Sequence, residues 1–330
     1  ANRGINKRGY VYVSNCTDDP EHTENKVSLY GAHNFIIVDR KGKDTFGMFF
    51  DYPSSIRFDI GYTKSEELTV SCEEADLYLY VITGENAYDI VKQFRRIIGR
   101  SYIPPKYAFG FGQSRWGYRN AEDFRHVAEE YRKHNIPIDM VYMDIDYMQD
   151  YKDFTVNQSF PDFKAFVDEM KEKKIHLIPI IDAGVKIEEG YDVYEEGVRE
   201  NMFCKREDGT DFAAAVWPGL THFPDMLNPE ARRWFGRKYK ILTDAGIDGF
   251  WNDMNEPAIF FSEEGMEEVK QFLKGYLEEG QDGNAEQEKG NPFQAFKLRG
   301  KINSLANSPE DYRRFYHNVN GKKVRHDKVH

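Results

Sequence analysis

The rhythm of apolar and polar positions changes near residue 105. Up to about residue 84, short β-branched or aromatic runs are broken by Gly, Asp and Pro. They are Tyr10–Ser14, Phe35–Val38, Thr45–Phe50, Ser55–Ile60, Leu68–Cys72 and Leu77–Ile82. Runs of this kind read as strands, here as part of a β-sandwich. Asn86 to Ile98 instead places apolar residues at Tyr88, Ile90, Val91, Phe94 and Ile97, a helical stripe closed by Gly99. Tyr102-Ile103-Pro104-Pro105 reads as a linker. Beyond it, strands alternate with amphipathic helices, the pattern of parallel βα units.

Four such strands are predicted: Tyr107–Gly112, Ile138–Asp144, Ile175–Ile181 and Ile247–Trp251. The helices between them fall near Ala121–His134, Phe163–Lys173 and Pro229–Asp244, the last opened by the Asn228-Pro229 cap. Pro179 counts against a central place for the third strand. The fold class expected is α/β, a (β/α)8 TIM-type barrel with only its first four strands in this chain, preceded by part of a β-sandwich domain. Residues 1–99 would be the sandwich and 100–330 the first half of the barrel. Insertions at about 183–227 and 262–320 would build on the carboxyl face, the second as an acidic helix over Glu264–Glu279 followed by a flexible loop. A barrel of this type needs eight strands and about 250 residues. Four would leave two open parallel edges, so the expectation is that other sequence completes the sheet.

Composition narrows the partners. A net charge of −11 disfavours nucleic acid and anionic membrane surfaces, which call for clustered Lys and Arg. An aromatic fraction of 15% suits a pocket that stacks sugar rings. Cys16, Cys72 and Cys204 make no CxxC pair, so neither a disulfide framework nor a zinc knuckle is expected. No apolar run approaches membrane-spanning length and Ala1 to Gly9 has no signal-like core, which makes the cytoplasm the expected location. No cofactor is implied, and a homo-oligomer is left open.

Candidate chemistry gathers at the predicted strand ends. Gln113-Ser114-Arg115-Trp116 follows the first strand, Asp144 the second, Asp182 the third and Asp253 the fourth. Three successive strands thus deliver a carboxylate to one face. Asp144 and Asp253 could instead be turn or helix caps. Converging carboxylates serve metal binding or acid, base and nucleophile work. The strand ends carry no histidine and His176 begins its strand at the opposite end, which argues against a metal site there. A hydroxyl-rich substrate fits better, with Trp116, Trp217, Trp251 and Phe260 offering faces to ring carbons. Glycosidases need two carboxyl groups about the scissile bond.

Five motifs in order carry a resemblance. They are Leu29-Tyr30-Gly31, Gly110-Phe111-Gly112-Gln113-Ser114-Arg115-Trp116, Asp144-Ile145-Asp146-Tyr147-Met148, Trp217-Pro218-Gly219 and Trp251-Asn252-Asp253-Met254-Asn255-Glu256. Together they resemble glycoside hydrolase family 31, in its α-glucosidase branch. The resemblance implies a retaining, exo-acting enzyme on α-linked gluco-oligosaccharides of maltose or isomaltose type. Asp253 matches the family's nucleophile and Asp144 the carboxylate that holds hydroxyls of the terminal glucose. Ile145, Ile180, Trp217, Trp251, Met254 and Phe260 would line that subsite, with Asp182 behind it. Asp19, in the loop Thr17-Asp18-Asp19-Pro20, matches an amino-terminal-domain residue that reaches the pocket, with Asp18 the alternative.

Two departures from the family pattern matter. Trp116 stands where many relatives carry Tyr, which would reshape the entrance. The family's acid/base Asp, in a Gly-Asp-Asn context, has no counterpart after Asp253, and Glu256 is too near the nucleophile to act from the other side. Loss of positioned acid/base catalysis costs about 10² to 10⁴ in rate, so the chain by itself is expected to be inactive. An α-xylosidase or transglucosylase of the same family, and a non-catalytic carbohydrate-binding subunit, are the alternatives. The Asp253-Met254-Asn255-Glu256 run resembles the glucosidase pattern.

Overall fold

The computed structural model describes residues 7–16, 31–39, 44–52, 54–72, 76–282, 308 and 310–329, and of residues 275–282 the backbone alone. Asp18, Asp19 and the Leu29-Tyr30 pair lie outside the described residues. The chain divides into two compact units, Ala1–Ile103 with Asp327–His330, and Pro104–His326.

In the first unit the six expected strands form, as β1 (Tyr10–Ser14), β2 (Phe35–Val38), β3 (Phe46–Asp51), β4 (Ile56–Ile60), β5 (Leu68–Ser71) and β6 (Tyr78–Thr83). They make two three-stranded antiparallel sheets, ordered β1-β4-β5 and β2-β3-β6. Phe50 of β3 meets Phe58 of β4 edge-on at 5.2 Å, and with Tyr52 and Ile56 they form the buried centre. Helix α1 (Ala87–Ile98) starts where the Asn86 side chain accepts the Asp89 N–H at 3.1 Å. Its Phe94 stacks on Phe35 at 4.1 Å. Gly47 permits this closeness, since a Cβ there would lie 2.7 Å from Ile90 Cγ2.

The second unit is built on a four-stranded parallel sheet, ordered β13-β9-β8-β7. Its strands are β7 (Gly112–Gln113), β8 (Met140–Met143), β9 (His176–Asp182) and β13 (Trp251–Asp253). Helices α2 (Ala121–Lys133), α3 (Phe163–Glu172) and α5 (Pro229–Lys238) supply Phe124, Phe166, Met170 and Trp234 to the core shared with Val141 and Met143. Between β9 and α5 lie β10 (Val185–Lys186), α4 (Asp192–Arg199), β11 (Ala213–Val216) and β12 (Gly219–His222). After α5 come α6 (Lys240–Asp244) and then, past β13, β14 (Phe261–Ser262), α7 (Glu263–Asp282), β15 (Tyr316–Val319) and β16 (Lys322–Arg325).

Two barrel strands differ from expectation. Most of Tyr107–Gly112 is not a strand: Lys106–Phe109 coils into a 3₁₀ turn and only Gly112–Gln113 pairs. The Asp139 carboxylate accepts the Phe111 N–H at 3.1 Å and packs where a Cβ on Gly110 would lie 2.1 Å away, so it occupies the room a regular ladder would need. The last strand starts at Trp251 instead of Ile247, because the Ile247 N–H turns back to the Leu242 carbonyl at 3.1 Å and finishes α6. Pro179 does sit in a central strand. The ladder from β9 to β13 begins one residue later, at Ile180, so no bond to β13 calls on the missing N–H.

The first expected insertion is folded, as are the described parts of the second, whose expected loop after the acidic helix lies largely outside the described residues. β10, β12, β11 and β14 pair in that order as one antiparallel sheet, joining residues 185–222 to the segment after β13. The acidic helix is present as α7, and the hairpin β15–β16 crosses the expected end of the second insertion. No helix among the described residues is long and apolar enough to cross a membrane.

Candidate active site

Side chains alternate along a strand, so register decides which residues share a face. Tyr142 pairs with Ile178, Trp251 with Ile180, and Asp253 with Asp182. Tyr142, Ile178, Ile180, Asp182, Trp251 and Asp253 therefore occupy one face of the sheet, and Asp144 continues the alternation past the end of β8. Asp182 and Asp253 end their strands side by side. Gln113 pairs with Val141 and belongs to the other face, where Tyr131 donates to its Oε1 at 2.7 Å. His176 begins β9 at the far end, stacked on Tyr107 at 3.6 Å.

The turns after these strands present the carboxylates. The Asp144 side chain accepts the Ile145 N–H at 2.7 Å and caps the short 3₁₀ turn Ile145–Tyr147, so it is both a cap and a member of the cluster. Asp253 accepts the Met254 N–H at 2.9 Å, and Met254 takes a left-handed backbone with φ of 56°. Such a conformation is strained for a side chain of this size. Burial pushes the Asp144 carboxyl upward, with Asp146 and Asp253 adding to the rise. Asp182 is pushed up to about 7, first by burial and then by the charges of Asp253 and Asp144.

Beneath Asp182 lies a residue that the sequence does not advertise. Asp153 is 1% exposed, and its Oδ1 accepts the Asp182 N–H at 3.1 Å. Burial, with the charge of Asp182, raises its carboxyl well above the ordinary range. One oxygen of each residue, Asp153 Oδ2 and Asp182 Oδ1, is buried without a hydrogen-bond partner. Tyr191 donates to the Asp153 carbonyl at 2.8 Å and Tyr147 to the Ile180 carbonyl at 2.9 Å, which fix the loop and the strand end together. Lys152 adds an ion pair of 2.5 Å to Glu188, whose carboxyl Lys152 and Lys186 hold down at about 2.

The aromatic residues divide into two groups. Trp251 meets Tyr142 edge-on, with centroids 6.0 Å apart, on the carboxylate face. Trp217 and Phe260 form a second edge-on pair at 5.1 Å, standing on the insertion sheet where the Phe260 N–H reaches the Ala215 carbonyl at 3.0 Å. Met254 links the two, because it follows Asp253 and packs against the cluster of Phe212, Val216 and Ile259. Ile145 and Ile180 are 3% and 2% exposed and belong to the main core, Ile180 on the carboxylate face. Trp116 is 61% exposed and has no ring partner among the described residues, so the structure does not bring it into the cluster.

This arrangement can bind a polyol, since acceptor oxygens at three neighbouring strand ends face apolar rings. It also offers a carboxylate, Asp253, at a strand terminus where an electrophilic carbon could approach. His176 shares the face by register but stands at the opposite end of β9, so the donor set at these strand ends is one of hard oxygens only.

Comparison with known proteins places the barrel portion in a family. The family model of the glycosyl hydrolases family 31 TIM-barrel domain matches residues 101–327. Alpha-glucosidase 2 of Bacillus thermoamyloliquefaciens is 37% identical over 258 residues, 78% of this chain and 32% of the relative. Alpha-xylosidase 1 of Arabidopsis thaliana is 34% identical over 251 residues, 74% of this chain and 27% of the relative. The crystal structure of a family 31 alpha-glucosidase from Bacteroides thetaiotaomicron superposes with a TM-score of 0.66 at 29% identity, covering 76% of this chain and 43% of that one. The chain thus spans about a third of the length of the relatives it matches. On the match of the barrel domain and the identity to these enzymes, the chain belongs to glycosyl hydrolase family 31.

Proposed function

We propose that the carboxylate face is the terminal-glucose subsite of an exo-acting, retaining α-glucosidase, with Asp253 as its nucleophile. The observation that carries this reading is the register pair Asp253–Asp182, set beside Asp144 on the face that also presents Trp251. Asp253 would attack the anomeric carbon as the glycosidic bond breaks, giving a glycosyl ester that water then hydrolyses. Asp144 would accept hydrogen bonds from the sugar hydroxyls. Asp182, able to hold a proton near neutrality, limits the repulsion among three adjacent carboxyls and would donate to a sugar oxygen. Glu256, three positions from Asp253, is not assigned the acid/base role. That role goes to a carboxyl from other sequence of the whole enzyme, and substrates of maltose or isomaltose type are proposed for that enzyme.

The relationship to an α-xylosidase supports a second reading, in which the sugar is xylose. Glycosyl fluorides separate the two, because fluoride leaves without being protonated and the experiment then reads the nucleophile alone. A 5-fluoro-α-glucosyl fluoride is expected to leave a covalent glucosyl adduct on the peptide containing Asp253, found by mass spectrometry and absent in Asp253→Asn. Preferential labelling by the fluorinated xylosyl analogue would transfer the assignment to xylose. A glucosyl adduct on another carboxylate, or none on folded protein, would remove Asp253 from the mechanism.

A further inference from the structure

Away from the carboxylate face, three side chains from separate stretches converge in the interior of the second unit. Cys204, Asp225 and His317 are each buried, and one ligating atom from each lies within 4.8 Å of the others. His317 Nδ1 is 2.8 Å from Asp225 Oδ1 and 3.6 Å from Cys204 Sγ. Zinc takes sulfur at about 2.3 Å and imidazole nitrogen at about 2.0–2.1 Å in a tetrahedron, which places the two ligands roughly 3.5 Å apart. We propose that Cys204, Asp225 and His317 hold a divalent cation of the zinc class, with His326 orienting the imidazole.

The surroundings support each ligand. His317 Nε2 is 2.9 Å from His326 Nδ1, so a His317 that ligates through Nδ1 can carry its proton on Nε2 and donate it to His326. Asp225 Oδ2 accepts the Asn318 N–H at 2.7 Å, while Oδ1 faces His317 and receives only longer bonds from the Leu227 and Asn228 N–H groups, at 3.2 and 3.3 Å. A thiolate and a carboxylate together cancel the double charge of the ion, which matters where burial makes net charge costly. Among the described residues no fourth Cys, His, Asp or Glu joins the group.

Binding has a definite proton balance. Without the ion, His317 Nδ1 and Asp225 Oδ1 share a hydrogen bond of 2.8 Å beside the buried Cys204. When the ion enters, Cys204 binds as the thiolate and its proton goes to solvent, His317 binds through Nδ1 with its ring proton on Nε2, and the nitrogen–oxygen pair opens by about half an ångström. One proton leaves per ion bound. No spacing motif signals such a site, because its ligands are contributed by the strand-like stretch before β11, the loop before α5 and the hairpin strand β15.

The test is titration of the chelator-treated full chain with cobalt(II), followed by zinc(II). The expected result is one equivalent of cobalt bound with release of about one proton, a sulfur-to-cobalt charge-transfer band, a tetrahedral visible spectrum, and displacement by zinc. Cys204→Ser, shown to be folded by circular dichroism, should lose the charge-transfer band, and His326→Gln should weaken cobalt binding about 10- to 100-fold. If Cys204→Ser does not fold, proton release and the sulfur band in the unaltered chain decide the matter. A folded chain that binds no cobalt, or a charge-transfer band unchanged in Cys204→Ser, would overturn the proposal and leave the trio as a hydrogen-bonded clip.

Discussion

At the scale of single residues, the environment of Asp182 makes a pH-dependent statement about stability. Its carboxyl rises from an ordinary 3.8 to about 7 in the folded chain, so the folded state keeps a proton that the unfolded state releases. The stability this contributes is complete below about pH 4 and is lost as pH climbs through about 7. Asp182→Asn should therefore flatten the fall in thermal midpoint between about pH 5 and about pH 7.5, a difference on the order of 2–4 kcal/mol. Equal slopes in variant and parent would show that Asp182 titrates normally. The three carboxylates of the face were legible in the sequence because each follows a recognisable apolar run. Asp153 was not, since its neighbours Lys152 and Phe154 belong to an irregular loop and only the fold carries it beneath Asp182. The cluster at Cys204 was hidden for the same reason.

At the scale of elements, local sequence located the strands of the first unit to within a residue or two, because Gly, Asp and Pro bracket each run. It failed where tertiary contacts overrode the pattern. The Asp139 side chain takes the bond that would have extended β7, and the closing turn of α6 takes Ile247 from β13. Helix α4 offers a test of packing against propensity. Gly197 lies inside it, and a Cβ there would come 2.3 Å from Phe203 Cζ and 3.0 Å from Trp234. Alanine is favoured over glycine in a helix by about 1 kcal/mol, yet forcing a methyl against two buried rings costs roughly 1–3 kcal/mol. Gly197→Ala is expected to lower stability, read as a reduced denaturant midpoint with unchanged slope. An increase would mean that Phe203 yields freely.

For the whole molecule, the decisive fact is that the parallel sheet ends in β7 on one side and β13 on the other among the described residues. Phe109 and Phe111, beside β7, are 71% and 48% exposed. Open strand edges next to apolar side chains favour pairing with other chains, against which the net charge of −11 supplies repulsion. As a separate polypeptide the chain should self-associate, with a sedimentation mass that exceeds 38.6 kDa and rises with concentration. A constant monomer mass up to about 100 μM would count against exposed edges of this kind. The parallel order and the two inner strands were legible from alternation, while the bounds of the two outer strands were not. The joining of both insertions into one antiparallel sheet was not, because antiparallel partners distant in sequence leave no periodic trace.

That joining orders events during synthesis. Lys205 and Tyr316 exchange backbone hydrogen bonds at 3.1 and 2.8 Å, and Cys204 meets His317 across 113 positions of chain. During synthesis β11 and β12 can pair with each other and with β10, and then with β14 as it emerges, but the stretch before β11 waits for β15. Contacts that close such long loops form late. The stretch that carries Cys204 and Lys205 is thus fixed only after β15 has left the exit tunnel, later than the sheet that bears Trp217, so the two halves of this layer are set at different times during synthesis.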